Sequence, residues 1–194
     1  MDVELSPKAA EIAAHARALI STHGYTGFSY ADIAEAVGIT KASIHHHFPS
    51  KAALVQHVVV AYRAEARHGM DELDARVADP VARLRAWLQF WQACLREGTL
   101  SFCICAMLAT EMQALPDDVG AEVRGHFDDL SRWLAATLAE GARAHRFALH
   151  GTARSEALAL MATIHGAMVS ARAYGDPAVF ATISDGLLKR LTVH

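Results

Sequence analysis

The sequence predicts an all-α fold in which a small three-helix N-terminal unit precedes a larger helical bundle. Three observations carry this. Hydrophobic residues make up 53% of the 194, aromatics only 7%, and alanine is the commonest apolar type; alanine loses no side-chain entropy in a helix and so favours it. Apolar residues recur at the three- and four-residue spacing of one helix face in segment after segment. No stretch shows strand-like alternation, and no internal repeat or low-complexity tract interrupts the chain.

Residues 8–23 place Ala9, Ile12, Ala13, Ala16, Leu19 and Ile20 on one face, with Ser6-Pro7 as a start signal and His23-Gly24 as a stop. After the turn Tyr25-Thr26-Gly27-Phe28, Ser29 reads as an N-cap and Asp32, three residues on, as its capping-box partner. That second helix turns Ile33, Ala34 and Val37 inward and ends at Gly38, which can adopt the left-handed conformation of a sharp turn. Thr40 caps a short third helix over 41–47, with Ile44 and Phe48 on its buried side. Pro49-Ser50 breaks the chain, and a long helix follows from Lys51 to about Asp74. Further helices are expected over 81–97, then beyond Gly98-Thr99 over 103–114, from Pro116 to about Phe147, over 153–173 and over 178–192.

Charge narrows the function classes. Lys and Arg number 18 against 21 Asp and Glu, a formal net charge of -3, which excludes a protein that holds polyanions by bulk positive charge. The deficit is uneven. Residues 1–70 balance Lys8, Arg17, Lys41, Lys51, Arg63 and Arg67 against Asp2, Glu4, Glu11, Asp32, Glu35 and Glu65, so the whole deficit falls after residue 70. The three cysteines, Cys94, Cys103 and Cys105, lack zinc-site spacing and cannot all pair with one another. The N-terminus carries acid before any apolar run, unlike a signal peptide, and no uncharged run reaches the roughly 18 residues of a membrane span. A reduced, cytoplasmic protein is the expectation, with no cofactor or metal.

Residues 30–48 read as helix, glycine turn and short helix, the order of a helix-turn-helix. In that motif the second helix enters the major groove while the first braces it. Ile33, Ala34, Val37, Ile39, Ile44 and Phe48 would fix the angle between the two, leaving Lys41, Ala42, Ser43, His45 and His46 to face outward. An ordinary helical hairpin has the same periodicity. The run His45-His46-His47 does not suit a metal ion, because neighbours on a helix diverge by about 100°.

The residues themselves go further. Ala31-Asp32-Ile33-Ala34, Ala36-Val37-Gly38-Ile39, His47-Phe48-Pro49-Ser50-Lys51 and Leu54, at their ungapped spacing, closely resemble the DNA-binding domain of the TetR/AcrR family of bacterial transcriptional regulators. The resemblance is specific over residues 8–65. It implies a DNA-binding domain over 1–52 and a ligand-binding and dimerisation domain over 53–194, working as a homodimer on a palindromic double-stranded operator and answering to a small-molecule effector. By position it implies that Lys41, Ala42 and Ser43 face the groove, that His45 and His46 touch bases or phosphates, and that Ser29, Thr40, His47 and Lys51 meet phosphates. The chain departs from the family at His45, where Tyr is common. Because imidazole charge varies near neutral pH, operator affinity is expected to rise as pH falls from about 8 to 6. The last two helices would form the dimer interface, with Ala157, Leu160, Met161, Ile164, Ala167, Met168 and Ala171 as contacts, some of them packing the core instead.

In the larger domain, Cys103 through Glu111 resembles, more loosely, a Cys-x-x-x-x-Leu-Ala-x-Glu pattern of a TetR subgroup that includes repressors of electrophile and aldehyde detoxification genes. That resemblance implies a reactive Cys103. A helix N-terminus would lower its thiol pKa, yet no basic residue is near in sequence, and a buried free cysteine packing a helix start has the same spacing. Trp87, Trp91, Met107, Phe127 and His165 are candidates to line an effector pocket, and each fits a bundle core equally. Two other classes compete. An enzyme would need a nucleophile–base grouping, a phosphate loop or a metal signature, none of which appears, although Glu111 and His165 could be imagined as an acid–base pair. A helical adaptor that has lost DNA binding would keep the fold and use the near-neutral N-terminal unit for protein contacts.

Overall fold

A computed structural model describes residues 5–98 and 102–193, so Thr99 of the expected Gly98-Thr99 turn lies outside the described residues. Among them are nine α-helices: α1 (Pro7–His23), α2 (Tyr30–Val37), α3 (Lys41–His47), α4 (Lys51–Arg76), α5 (Pro80–Glu97), α6 (Ile104–Ala109), α7 (Asp117–Arg143), α8 (Ala153–Tyr174) and α9 (Ala178–Leu191). The fold is all-α, and among the described residues the β-structure is limited to an isolated bridge between Phe147 and Thr192.

Two compact units divide the chain. The first comprises Met1–Glu65 and Phe102–His126, the second Ala66–Ser101 and Phe127–His194. In the first, α1 packs on α2, α3 and α6, and α2 on α3. Ile12, Ala16, Ile20, Ile33, Ile44, Leu54 and Val55 are fully enclosed there, together with Ile104 and Leu108 of α6. Each large aliphatic side chain so removed from water contributes about 1.5–3 kcal/mol. Val37 and Ile39, expected inside, are only half-buried.

In the second unit α8 and α9 pack along each other and α5 against α9. Leu84, Leu88, Leu134, Leu138, Ile164 and Phe180 form its centre. The Arg83 guanidinium is buried among them at 7% exposure, with partners at Nε and Nη1. Arg83 donates to the Val77 carbonyl at 3.0 Å and meets Asp74 at 3.2 Å and Glu140 at 2.8 Å. A buried charge persists only with partners of this kind.

Three sequence expectations are corrected. The helix expected over 103–114 ends at Ala109. Beyond it the amides of Thr110, Glu111 and Ala114 bond carbonyls three residues back, so the chain closes tight turns instead of continuing the helix. The helix expected to reach Phe147 ends at Arg143, because His145 turns into the left-handed region at φ 55° and Phe147 pairs with Thr192. The seven α8 residues expected at a dimer interface, Ala157, Leu160, Met161, Ile164, Ala167, Met168 and Ala171, all face the chain's own core at 7% exposure or less. The solvent face of α8 carries Leu158, Ala162, Gly166 and Val169 instead.

Candidate nucleic-acid interface

The first unit builds one exposed helix with care. Ser29 begins α2 with a reciprocal capping box: its hydroxyl accepts from the Ala31 amide at 3.1 Å, and the Asp32 carboxylate accepts from the Ser29 amide at 2.6 Å. Those bonds from Ser29 hold the Asp32 carboxyl below its ordinary range. At the other end Gly38 sits at φ 69°, ψ 36°, and the Ile39 amide reaches back to the Ala34 carbonyl at 3.0 Å. A Cβ on Gly38 would meet nothing, so the residue is there for its left-handed backbone. Thr40 then caps α3, its hydroxyl accepting from the Ser43 amide at 3.1 Å. Ile44 is the one residue α3 buries, and the Tyr30 phenol donates to the Phe48 carbonyl at 3.0 Å, tying α2 to the end of α3.

Lys41, Ala42, Ser43, His45 and His46 are consequently exposed and His47 half-buried. Ser29 and Thr40 are exposed too, but their hydroxyls are engaged in the caps. The His45 ring stands 4.9 Å from the Tyr30 ring, edge on, with Nδ1 3.2 Å from the Pro49 carbonyl. A carbonyl only accepts, so Nδ1 carries the proton in that bond. The neutral ring then presents Nε2 as an acceptor, and only the imidazolium can donate to a phosphate. His46 and His47 pack edge to face with centroids 5.4 Å apart.

Lys51 is turned inward. Its ammonium donates to the Phe28 carbonyl and lies 4.7 Å from the Tyr25 ring centroid and 4.2 Å from that of Phe28. Burial lowers its pKa, against the pull of Glu111 and Asp32. Among the other cations of residues 1–70, Lys8 pairs with Glu11, Arg17 with Glu65 and Arg63 with Glu122. Lys41 and Arg67 have no carboxylate partner among the described residues, and Lys41 opens α3.

The sensing candidates divide between the units. Cys103, in the first, is the N-cap residue of α6, 1% exposed, and makes no side-chain capping bond. Burial pushes its thiol up despite a hydrogen bond with Tyr62, so desolvation outweighs the lowering expected of a helix start. The basic neighbour missing in sequence is present in space: His126 Nε2 lies 3.8 Å from the sulfur. Tyr62, itself 5% exposed, packs 5.3 Å from the His126 ring, and the Arg17 guanidinium lies over its ring at 5.2 Å. No sequence signal marks Tyr62 or His126. Met107 is half-buried on α6.

Trp87, Trp91, Phe127 and His165 belong to the second unit. Trp87 packs against Trp133 at 6.1 Å, Trp91 against Phe90 at 5.5 Å, and His165 against Phe127 at 5.2 Å. Burial lowers the His165 pKa to about 4. A surface groove of about 310 Å³ in this unit is bordered by Arg85, Asp185, Leu188, Lys189 and Thr192, none of them an expected lining residue. The Glu111 carboxylate, in the first unit, is bonded to Tyr25 and Thr26.

A short, capped and exposed second helix braced by a first is the arrangement of a helix-turn-helix protein. The comparisons with known proteins give the family. Residues 12–58 match the model for bacterial regulatory proteins of the tetR family, and residues 80–187 match the tetracyclin repressor-like C-terminal domain. The chain belongs to the TetR family. It is 50% identical to a TetR-family transcriptional regulator from Agrobacterium tumefaciens whose crystal structure superposes with a TM-score of 0.93, over 96% of this chain and 98% of that one. The reduced form of NemR from E. coli shares the fold at 19% identity, with a TM-score of 0.80 over 96% of this chain and 98% of that one. The transcriptional regulator AcuR of Cereibacter sphaeroides is 30% identical over 124 residues, 62% of this chain. The chain matches 56% of the length of that curated relative. No helix among the described residues is long and apolar enough to cross a membrane.

Proposed function

We propose that this DNA-binding regulator is a repressor, a homodimer bound to a palindromic operator and released by a small apolar or electrophilic effector. The observation that carries the reading is the solvent face of α3, where Lys41, Ala42, Ser43 and His46 are presented while Lys8, Arg17, Lys51 and Arg63 are engaged within the head. A DNA-contacting part over 1–52 and a sensing and dimerising part over 53–194 accord with it. Dimerisation through α8 and α9 is supported by the exposed face of Leu158, Ala162, Gly166 and Val169, where small residues allow close helix approach. Because Cys103 is buried and its thiol pKa raised, an electrophile would react only as α6 opens.

One assay tests the reading: fluorescence anisotropy with duplex DNA from upstream of the chain's own gene, across salt. Saturable binding that weakens steeply with salt is expected, with Lys41→Ala flattening the salt slope by about one per subunit. No binding at low salt transfers the chain to the adaptor reading. N-ethylmaleimide should release DNA from wild type and not from Cys103→Ser, and equal release discards Cys103 as the sensor.

A further inference from the structure

The Cys-x-x-x-x-Leu-Ala-x-Glu stretch ends on a residue that neither the α3 face nor the effector reading uses. Glu111 lies beyond α6 in the tight turns that replace its expected continuation. Its carboxylate accepts from the Tyr25 amide, from the Thr26 amide at 3.2 Å and from the Thr26 hydroxyl. These donors form the corner between α1 and α2. The corner is shaped for the carboxylate: Gly24 lies at φ 74°, and a Cβ there would overlap Glu111. Burial alone would raise the Glu111 pKa, but the Thr26 and Tyr25 bonds and the field of Lys51 carry it below its ordinary value, so the carboxylate is charged at neutral pH.

We infer that Glu111 is a positioning residue for DNA recognition, a latch by which the α6 segment holds the α1–α2 corner and, through it, the setting of α3. The inference rests on the DNA-binding reading proposed above. The route is short. Tyr25, held by Glu111 at its amide, offers its ring to the Lys51 ammonium, which also bonds the Phe28 carbonyl. Lys51 opens α4 just after Pro49-Ser50, so the two ends of the α2–α3 pair, Phe28 and Lys51, are clamped together beside the latch. Freeing Glu111 loosens one side of that clamp without touching any residue that faces DNA. Cys103 and Glu111 bracket α6, so any displacement of α6 at one end bears on the corner at the other.

Simple electrostatics and the latch predict opposite signs. Removing a carboxylate from the unit that carries α3 should tighten binding to a polyanion. The latch predicts weaker binding, because a head that must first be ordered binds with reduced apparent affinity. The test uses the full-length chain and a duplex that wild type selects from a randomised pool. Glu111→Ala and the near-isosteric Glu111→Gln are each expected to raise Kd by about tenfold with an unchanged salt slope, since no phosphate contact is lost. Thr26→Val, which removes one of the three bonds, is expected to raise it by about threefold, and Glu111→Gln with Thr26→Val by less than the product of the two. Hydrogen exchange gives the reciprocal reading: DNA should slow the Tyr25 and Thr26 amides in wild type and not in Glu111→Ala. Should Glu111→Ala fail to fold, Glu111→Gln and Thr26→Val carry the test alone. Unchanged or tighter binding in the folded variants overturns the latch. Failure of wild type to select any duplex instead overturns the DNA-binding reading beneath it.

Discussion

The two shortest helices, α3 and α6, are held by opposite means. The seven residues of α3 bury only Ile44 and rely on Thr40, whose hydroxyl takes up the Ser43 amide. The six residues of α6 bury Ile104, Cys105, Ala106 and Leu108, and the N-cap Cys103 supplies no side-chain bond. Neither length would form a stable helix in isolation. A helix held by its cap keeps its side chains available to a partner, whereas one held by burial commits them to the core. The first arrangement suits reading DNA. The second suits registering what happens inside the protein.

The largest effect that sharpens this contrast is in α6. Leu108 is fully buried, and Leu108→Ala is expected to cost about 2–5 kcal/mol, as lost transfer energy plus the cavity left behind. Urea unfolding followed by circular dichroism measures it. A cost under about 1 kcal/mol would mean that α6 collapses onto its neighbours freely and is not held by burial as described.

The same division between presented and committed side chains separates the histidines. His45 and His46 are exposed on α3, whereas His165 of α8 sinks against Phe127 with its pKa lowered to about 4 from an ordinary 6.5. The folded state thus prefers the neutral ring, and the unfolded chain takes up the proton first as pH falls. Stability from His165 is fully present above about pH 6.5 and is lost progressively toward pH 4. The ceiling is about 3 kcal/mol, reduced by the solvent contact the half-buried ring keeps. Urea unfolding at pH 7, 6 and 5 should show a decline in wild type that His165→Leu flattens. Parallel declines in the two proteins would remove His165 as the source.

Legibility in the sequence divides along the same line. The Ser29–Asp32 capping box, Gly38 and the Thr40 cap are all readable because each is satisfied within three or four residues of chain, and the structure has each of them. The end of α6 is not readable. The turn beyond it is held by Glu111 meeting Tyr25 and Thr26, which lie 86 and 85 residues earlier. His126 beside Cys103, and the inward turning of Lys51 onto the Phe28 carbonyl, are likewise decided by folding rather than by spacing. On α8 the periodicity locates the apolar stripe correctly and cannot say which neighbour it faces. A core and a dimer interface ask for the same residue types.

The smallest effect is the most direct test of how α3 is held. Thr40→Ala removes the side-chain acceptor of the Ser43 amide, leaving it the Thr40 carbonyl at 3.1 Å, and is expected to cost about 1 kcal/mol, the usual worth of a hydroxyl N-cap. Thr40→Ser keeps the oxygen and should stay within a few tenths of wild type. The loss should be local, because Ile44 remains buried and the Tyr30 bond to the Phe48 carbonyl still anchors the end of the helix. Hydrogen exchange at Ser43, which keeps only its bond to the Thr40 carbonyl, should therefore accelerate modestly in Thr40→Ala while the amide of Phe48, bonded to the Ile44 carbonyl at 2.8 Å, stays protected. Acceleration at both amides would show that the cap organises the whole helix. Acceleration at neither would mean that the Thr40 hydroxyl adds nothing to the carbonyl bond that remains, and the contrast with α6 would fall.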